Sequence, residues 1–213
     1  MFEAILWDHD GVLVDTEGLY FRATREMLAT VGVDLTESLY RALFLVEGRG
    51  AWHLAEERGV PAAEIAALKQ RRGERYTELL LASDVMIDGA LALVQALAPR
   101  FRMAIVTSSH RDHFDAIHRR TGLPPLFEFV LAREDYGVSK PDPEPYLRAV
   151  ERLGLAREKC LVIEDSARGL RAAKAAGLTC WVVPSGLTRA SSFDEADRRF
   201  ESLADLGAAL RAL

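Results

Sequence analysis

Short apolar runs recur along the chain, each closed by polar residues: Glu3–Trp7, Arg102–Thr107, Phe129–Leu131, Cys160–Ile163 and Thr179–Val183. These runs predict strands. Helical patterns lie between them, at Ala90–Leu97, Arg111–Thr121, Glu144–Leu153 and Ala167–Ala176. Gly122, Gly154 and Gly177 stand where helix C-termini favour glycine. Strand–helix–strand alternation of this kind predicts right-handed crossovers onto a parallel sheet. One region breaks the rhythm. From Thr16 to Ala82 no convincing strand appears, and the residues read as successive helices: Glu17–Thr30, Glu37–Val46, Gly50–Arg58 and Ala62–Leu81. Gly32, Gly48 and Gly59-Val60-Pro61 separate them. The stretch is too long for a loop. We therefore expect an α/β core of residues 1–15 and 83–213, with residues 16–82 inserted as a helical domain.

The polar residues that close the strands carry the chemistry. Asp8 and Asp10 follow the first run. Side chains at i and i+2 of a strand share a side, so the two carboxylates face one way if the strand continues that far. Like charges that close are costly out of water unless a cation or a transferred proton belongs to the arrangement. The second run ends at Thr107-Ser108-Ser109, the fourth at Glu164-Asp165-Ser166, and a loop before Glu144 carries Ser139-Lys140-Pro141-Asp142-Pro143. Taken singly, each set reads as a turn, a helix cap or a solvated lysine. Ligands of open parallel sheets bind beyond the carboxyl ends of the strands. At that one edge, acids, hydroxyls and a lysine together suit a divalent cation and a phosphate: hard oxygens for Mg²⁺, donors and an ammonium for phosphoryl oxygens.

Composition narrows the class. The chain has 213 residues, 49% hydrophobic and 28% charged, as in an ordinary globular protein. A net charge of −5 argues against nucleic acid as a partner. Arg71-Arg72 and Arg119-Arg120 read as solvated helix faces. The two cysteines, Cys160 and Cys180, sit at apolar runs and read as buried inert thiols. No signal peptide and no membrane-spanning run is apparent. A cytoplasmic monomer with no membrane partner is the expectation.

With these motifs in place, the sequence resembles the haloacid dehalogenase-type phosphohydrolases, in the branch with a small helical cap after the first strand. That branch contains sugar-phosphate phosphatases, phosphoglycolate phosphatase-like proteins and β-phosphoglucomutases. Asp8-His9-Asp10-Gly11-Val12-Leu13-Val14-Asp15-Thr16-Glu17 is similar to the family's first motif, Thr107 to the second and Lys140 to the third. Glu164-Asp165, with Gly169 and Ala172 to Gly177 following, is similar to the fourth. The resemblance covers essentially the whole chain. It implies a Rossmann-like doubly wound parallel sheet with an all-helical cap, and a Mg²⁺-dependent phosphatase acting on a small phosphorylated metabolite. By the same resemblance, Asp8 is the nucleophile and Asp10 the general acid and base. Mg²⁺ is held by Asp8, the Asp10 carbonyl and Asp165, with Glu164 a direct or water-mediated ligand. Thr107, the Ser108 amide and Lys140 bind phosphoryl oxygens. The cap closes over the site, with Glu17 and Arg49 among its candidate substrate contacts.

Departures refine the expectation. Dehalogenases and phosphonatases of the family lack an acid at the position of Asp10, which weighs against both. β-Phosphoglucomutases share an arginine at the position of Arg49 but carry histidine where this chain has Tyr20, so a mutase is the first alternative. A non-catalytic phosphometabolite-binding regulatory protein is the second. Asp88 stands where the family has proline and reads as a helix cap. Strand alternation turns His9 away from the metal, toward the core. Trp52 and His53 read as packing residues.

Overall fold

The computed structural model describes residues 1–119 and 121–213. Arg120, and with it the paired reading of Arg119-Arg120, lies outside them. The strands are β1 (Ala4–Trp7), β2 (Arg102–Val106), β3 (Phe129–Leu131), β4 (Cys160–Glu164), β5 (Thr179–Val182) and β6 (Arg198–Arg199). They form one parallel sheet in the order β3-β2-β1-β4-β5-β6. The order reverses beside β1, the crevice where doubly wound sheets place their ligands. In register, Trp7 pairs with Ile105 on one side and Ile163 on the other. The polar residues that follow β1, β2 and β4 are thereby brought to one edge.

The helices are α1 (Glu17–Ala29), α2 (Glu37–Tyr40), α3 (His53–Glu56), α4 (Ala62–Leu81), α5 (Ala90–Leu97), α6 (Arg111–His118), α7 (Glu144–Leu153), α8 (Ala167–Ala175) and α9 (Leu203–Arg211). Alternation along the strands builds two apolar layers. Ile5, Trp7, Met103, Ile105, Leu161 and Ile163 pack with α5, α6 and α9 residues such as Leu93, Phe114 and Leu206. Ala4, Leu6, Ala104, Val106 and Val162 pack with Tyr146 and Val150 of α7 and Leu170 of α8. Both faces of the sheet are covered, as parallel sheets require. Cys160 and Cys180 are free and buried, and burial pushes the Cys160 thiol up to about 11.

Chain contacts divide the molecule into two compact units, Met1–Asp15 with Val85–Leu213, and Thr16–Asp84. The second unit is helical. In it α1 packs on α4, Arg75 of α4 donating from Nε to Glu26 of α1 at 2.7 Å. Tyr40 stacks on Phe44 with ring centroids 4.4 Å apart. Among the described residues no helix is long and apolar enough to cross a membrane.

Several elements differ from the sequence pattern. The Glu37–Val46 helix divides: α2 ends at Tyr40 and Arg41–Val46 is a π-helix. Of Gly50–Arg58 only His53–Glu56 is α-helical. Asp88 does not cap α5, whose N-cap is Gly89 at φ 80, with no side-chain cap. Thr107-Ser108-Ser109 does not cap α6 either, because that helix begins two residues later, after His110. β6 and α9 have no counterpart in the pattern. β6 is two exposed arginines, drawn in by the open edge of β5: Phe200 N–H donates to Val182 O at 2.9 Å.

Candidate active site

β1 ends at Trp7, and the backbone N–H of Asp8 donates to Ile163 O at 2.8 Å. The chain then turns at Gly11, where φ is +84. A Cβ there would lie 2.1 Å from Asp165 Oδ2, so only glycine lets the first motif pass this close to the fourth. Asp8, Lys140, Glu164 and Asp165 are all buried.

Lys140 organises them. Its ammonium donates to Asp8 Oδ1 at 2.7 Å, Glu164 Oε1 at 2.8 Å and Val106 O at 2.9 Å. Those contacts use all three of its donors. Glu164 Oε1 also accepts from Tyr146 OH at 2.7 Å, while Oε2 accepts from the N–H of Asp165 and Ser166 and from Ser166 Oγ. Gly169 of α8 makes room for it, since a Cβ there would lie 1.7 Å from Glu164 Oε1. Asp165 Oδ2 accepts from Thr188 Oγ1 at 3.0 Å.

Protonation follows from this crowding. Burial, then the charge of Glu164, raises the Asp8 carboxyl from an ordinary 3.8 to about 7, with Lys140 opposing. Burial also raises Glu164, but the ammonium of Lys140 and hydrogen bonds from Lys140, Tyr146 and Ser166 outweigh it, so its net shift is downward. Burial lowers Lys140, and the two facing carboxylates more than reverse this, holding the ammonium charged.

Asp10 lies beside this cluster with a second set of partners. Its Oδ2 accepts from Thr107 Oγ1 at 3.1 Å and Ser109 Oγ at 2.8 Å, and His9 Nδ1 lies 3.2 Å away. Asp8, Glu164 and Asp165 each offer an oxygen, all within 4.8 Å of one another. A buried set of hard oxygen donors fits a Mg²⁺-type cation.

Asp8, Asp10, Thr107, Ser108, Lys140, Glu164 and Asp165 thus meet at one sheet edge. Glu17 and Arg49 belong to the helical unit, where Glu17 accepts from Tyr40 OH and Arg49 pairs with Glu47 at 2.7 Å. Sequence reasoning passed over Tyr146, Thr188 and His118. None carries a local signal, because each reaches its partner across the fold. Ser109 belongs to the Thr107-Ser108-Ser109 run that follows β2, and a hydroxyl at a strand end is a signal legible in the chain.

A sequence profile for the haloacid dehalogenase-like hydrolases matches residues 2–177. The protein CbbY of Cereibacter sphaeroides is 36% identical over 97% of this chain and 95% of its own length. A phosphorylated carbohydrates phosphatase of Thermotoga maritima is 35% identical over 83% of this chain and 82% of its own. The crystal structure of a mutant CbbY from Rhodobacter sphaeroides in complex with xylulose-(1,5)bisphosphate is similar at a TM-score of 0.82. It is 31% identical and covers 97% of each chain.

Proposed function

This chain is a member of the haloacid dehalogenase-like hydrolases, and on that premise we propose that it is a Mg²⁺-dependent phosphatase of a small phosphomonoester, a sugar phosphate or phosphoglycolate-like compound. The observation that carries the reading is a buried Asp8 held by Lys140, with a second carboxyl, Asp10, next to it on separate partners. Two carboxyls in unlike environments suit unlike roles.

In the proposed reaction an Asp8 oxygen attacks phosphorus and forms an aspartyl phosphate. The bond to the leaving oxygen breaks as that oxygen takes a proton from Asp10. Asp10, now ionised, takes a proton from water. The water oxygen attacks phosphorus, the bond to Asp8 breaks, and inorganic phosphate leaves with the Asp8 carboxylate restored. Lys140, the Thr107 hydroxyl and the Ser108 amide would stabilise the charge that spreads over the phosphoryl oxygens in transit, Lys140 and Thr107 giving up carboxylate acceptors to do so. Asp8, the Asp10 carbonyl, Asp165 and Glu164, directly or through water, would hold Mg²⁺, which supplies positive charge against the transferring group. Glu17 and Arg49 are the proposed substrate contacts of the helical unit, Arg49 toward a second anionic group. The sugar bisphosphate bound by the CbbY relative supports a phosphorylated sugar as the substrate class.

The test is release of inorganic phosphate from a panel of small phosphomonoesters with Mg²⁺, beside Asp8→Asn. Release that needs both Mg²⁺ and Asp8 is the expected result. No release from any ester moves the reading to a phosphosugar mutase or to a binding protein with a dormant site.

A further inference from the structure

His9 is fully buried between two motif carboxylates, and the mechanism above does not use it. Its ring bridges Asp10 and the far end of α6. His9 Nδ1 lies 3.2 Å from Asp10 Oδ2, and His9 Nε2 lies 2.8 Å from His118 Nε2. His118 Nδ1 in turn lies 2.7 Å from Thr121 Oγ1. Phe114 packs against both rings, its centroid 5.0 Å from His9 and 4.5 Å from His118.

At 2.8 Å two N–H groups cannot face one another, so one Nε2 donates and the other accepts. That constraint couples the two ring tautomers, and an accepting Asp10 Oδ2 sets the direction of the chain. When His9 Nδ1–H donates to Asp10, His9 Nε2 accepts from His118 Nε2–H, and His118 Nδ1 accepts from the Thr121 hydroxyl. Burial, then the neighbouring His9, lowers His118 to about 3, and a neutral ring has the one donor and one acceptor this order needs. The terminal torsion of an aspartate is broad. Three groups meeting at Oδ2 narrow it: Thr107 Oγ1, Ser109 Oγ and His9 Nδ1. The two hydroxyls rotate, whereas the His9 ring is clamped by packing.

We propose that His9, oriented by His118 and Thr121, is a positioning residue that sets the direction of the Asp10 carboxyl toward the leaving-group oxygen. The proposal rests on Asp10 being the general acid. It predicts damage confined to leaving groups that need a proton. General-acid transfer is worth on the order of 10²–10⁴-fold in rate, and a misdirected acid loses part of that.

The experiment compares kcat/KM for benzyl phosphate, whose alcohol leaves with a proton, and p-nitrophenyl phosphate, whose phenolate leaves without one. Because kcat/KM ends at leaving-group departure, hydrolysis of the shared aspartyl phosphate does not enter. The ratio of the two esters in one sample is independent of how much protein is folded. Asp10→Asn sets the benchmark. His9→Phe and His118→Phe are expected to lower the benzyl-to-nitrophenyl ratio about 10-fold or more, and His118→Gln, whose amide can still donate to His9 Nε2, to restore most of it. If Asp10→Asn shifts the ratio while His9→Phe and His118→Phe leave it at the wild-type value, the positioning role is overturned alone. If Asp10→Asn leaves the ratio unchanged, the general-acid reading fails and takes the positioning role with it.

Discussion

One ammonium sits between two buried carboxylates, and small residues decide whether they fit. Gly169 is helical and would cost nothing as alanine in an open helix. Here its missing Cβ is the space occupied by the Glu164 carboxylate. Gly169→Ala must displace a buried, fully hydrogen-bonded acid, whose loss from an ion pair costs about 3–5 kcal/mol. We expect a lower melting temperature and at least a tenfold loss of phosphate release, checked by calorimetry and phosphate assay. A wild-type melting curve would refute the steric argument. The motif residues themselves were legible from the chain, since acids, hydroxyls and a lysine each close an apolar run or precede a helix. Their partners were not. Tyr146 and His118 sit on helices whose sequence shows ordinary apolar faces, and Lys140 meets Asp8 across 132 positions.

At the scale of elements, connections rather than strands complete the site. The segment after β5 turns back as a single 3₁₀ turn, Gly186–Thr188. Its end places Thr188 Oγ1 on Asp165, and Ser185 Oγ donates to Gly11 O at 2.8 Å. The loop thereby ties the fourth motif to the first. Groups that orient a metal ligand commonly cost 10–100-fold in metal affinity when removed. With Asp165 in its proposed role of holding Mg²⁺, Thr188→Val should raise the Mg²⁺ concentration for half-maximal stabilisation against heat about tenfold. An unchanged Mg²⁺ titration of the melting temperature would show that Asp165 holds its position without this hydroxyl. The short elements are the ones that depart from the sequence pattern. The π-helix carries Phe44, whose ring stacks on Tyr40 of α2, a contact that periodicity does not show.

Across the whole molecule, burying this charge cluster links folding to pH. Asp8 in the folded protein holds its proton to about 7, against 3.8 ordinarily. Between those values the folded state binds a proton that the unfolded state has released. Stability from this group therefore falls as pH rises through the window, and the full cost is present above it. Glu164, lowered, acts oppositely: its contribution is present above its ordinary range and is lost as pH falls further. In chelator, the melting temperature of the wild type relative to Asp8→Asn should fall from pH 4.5 to pH 8, and added Mg²⁺ should restore it. A relative rise over that range would contradict the linkage.

What the sequence by itself determined is the layout: which runs form the sheet, where helices interrupt it, and which polar residues close each strand. Those are local properties, set by the period of apolar positions and by the residues that stop it. Tertiary structure alone decided the strand order, the edge strand β6, and the partners that fix each carboxylate. His9 and His118 stand 109 positions apart. Nothing in either neighbourhood encodes their meeting, because it depends on how α6 packs beside β1 once the sheet has formed.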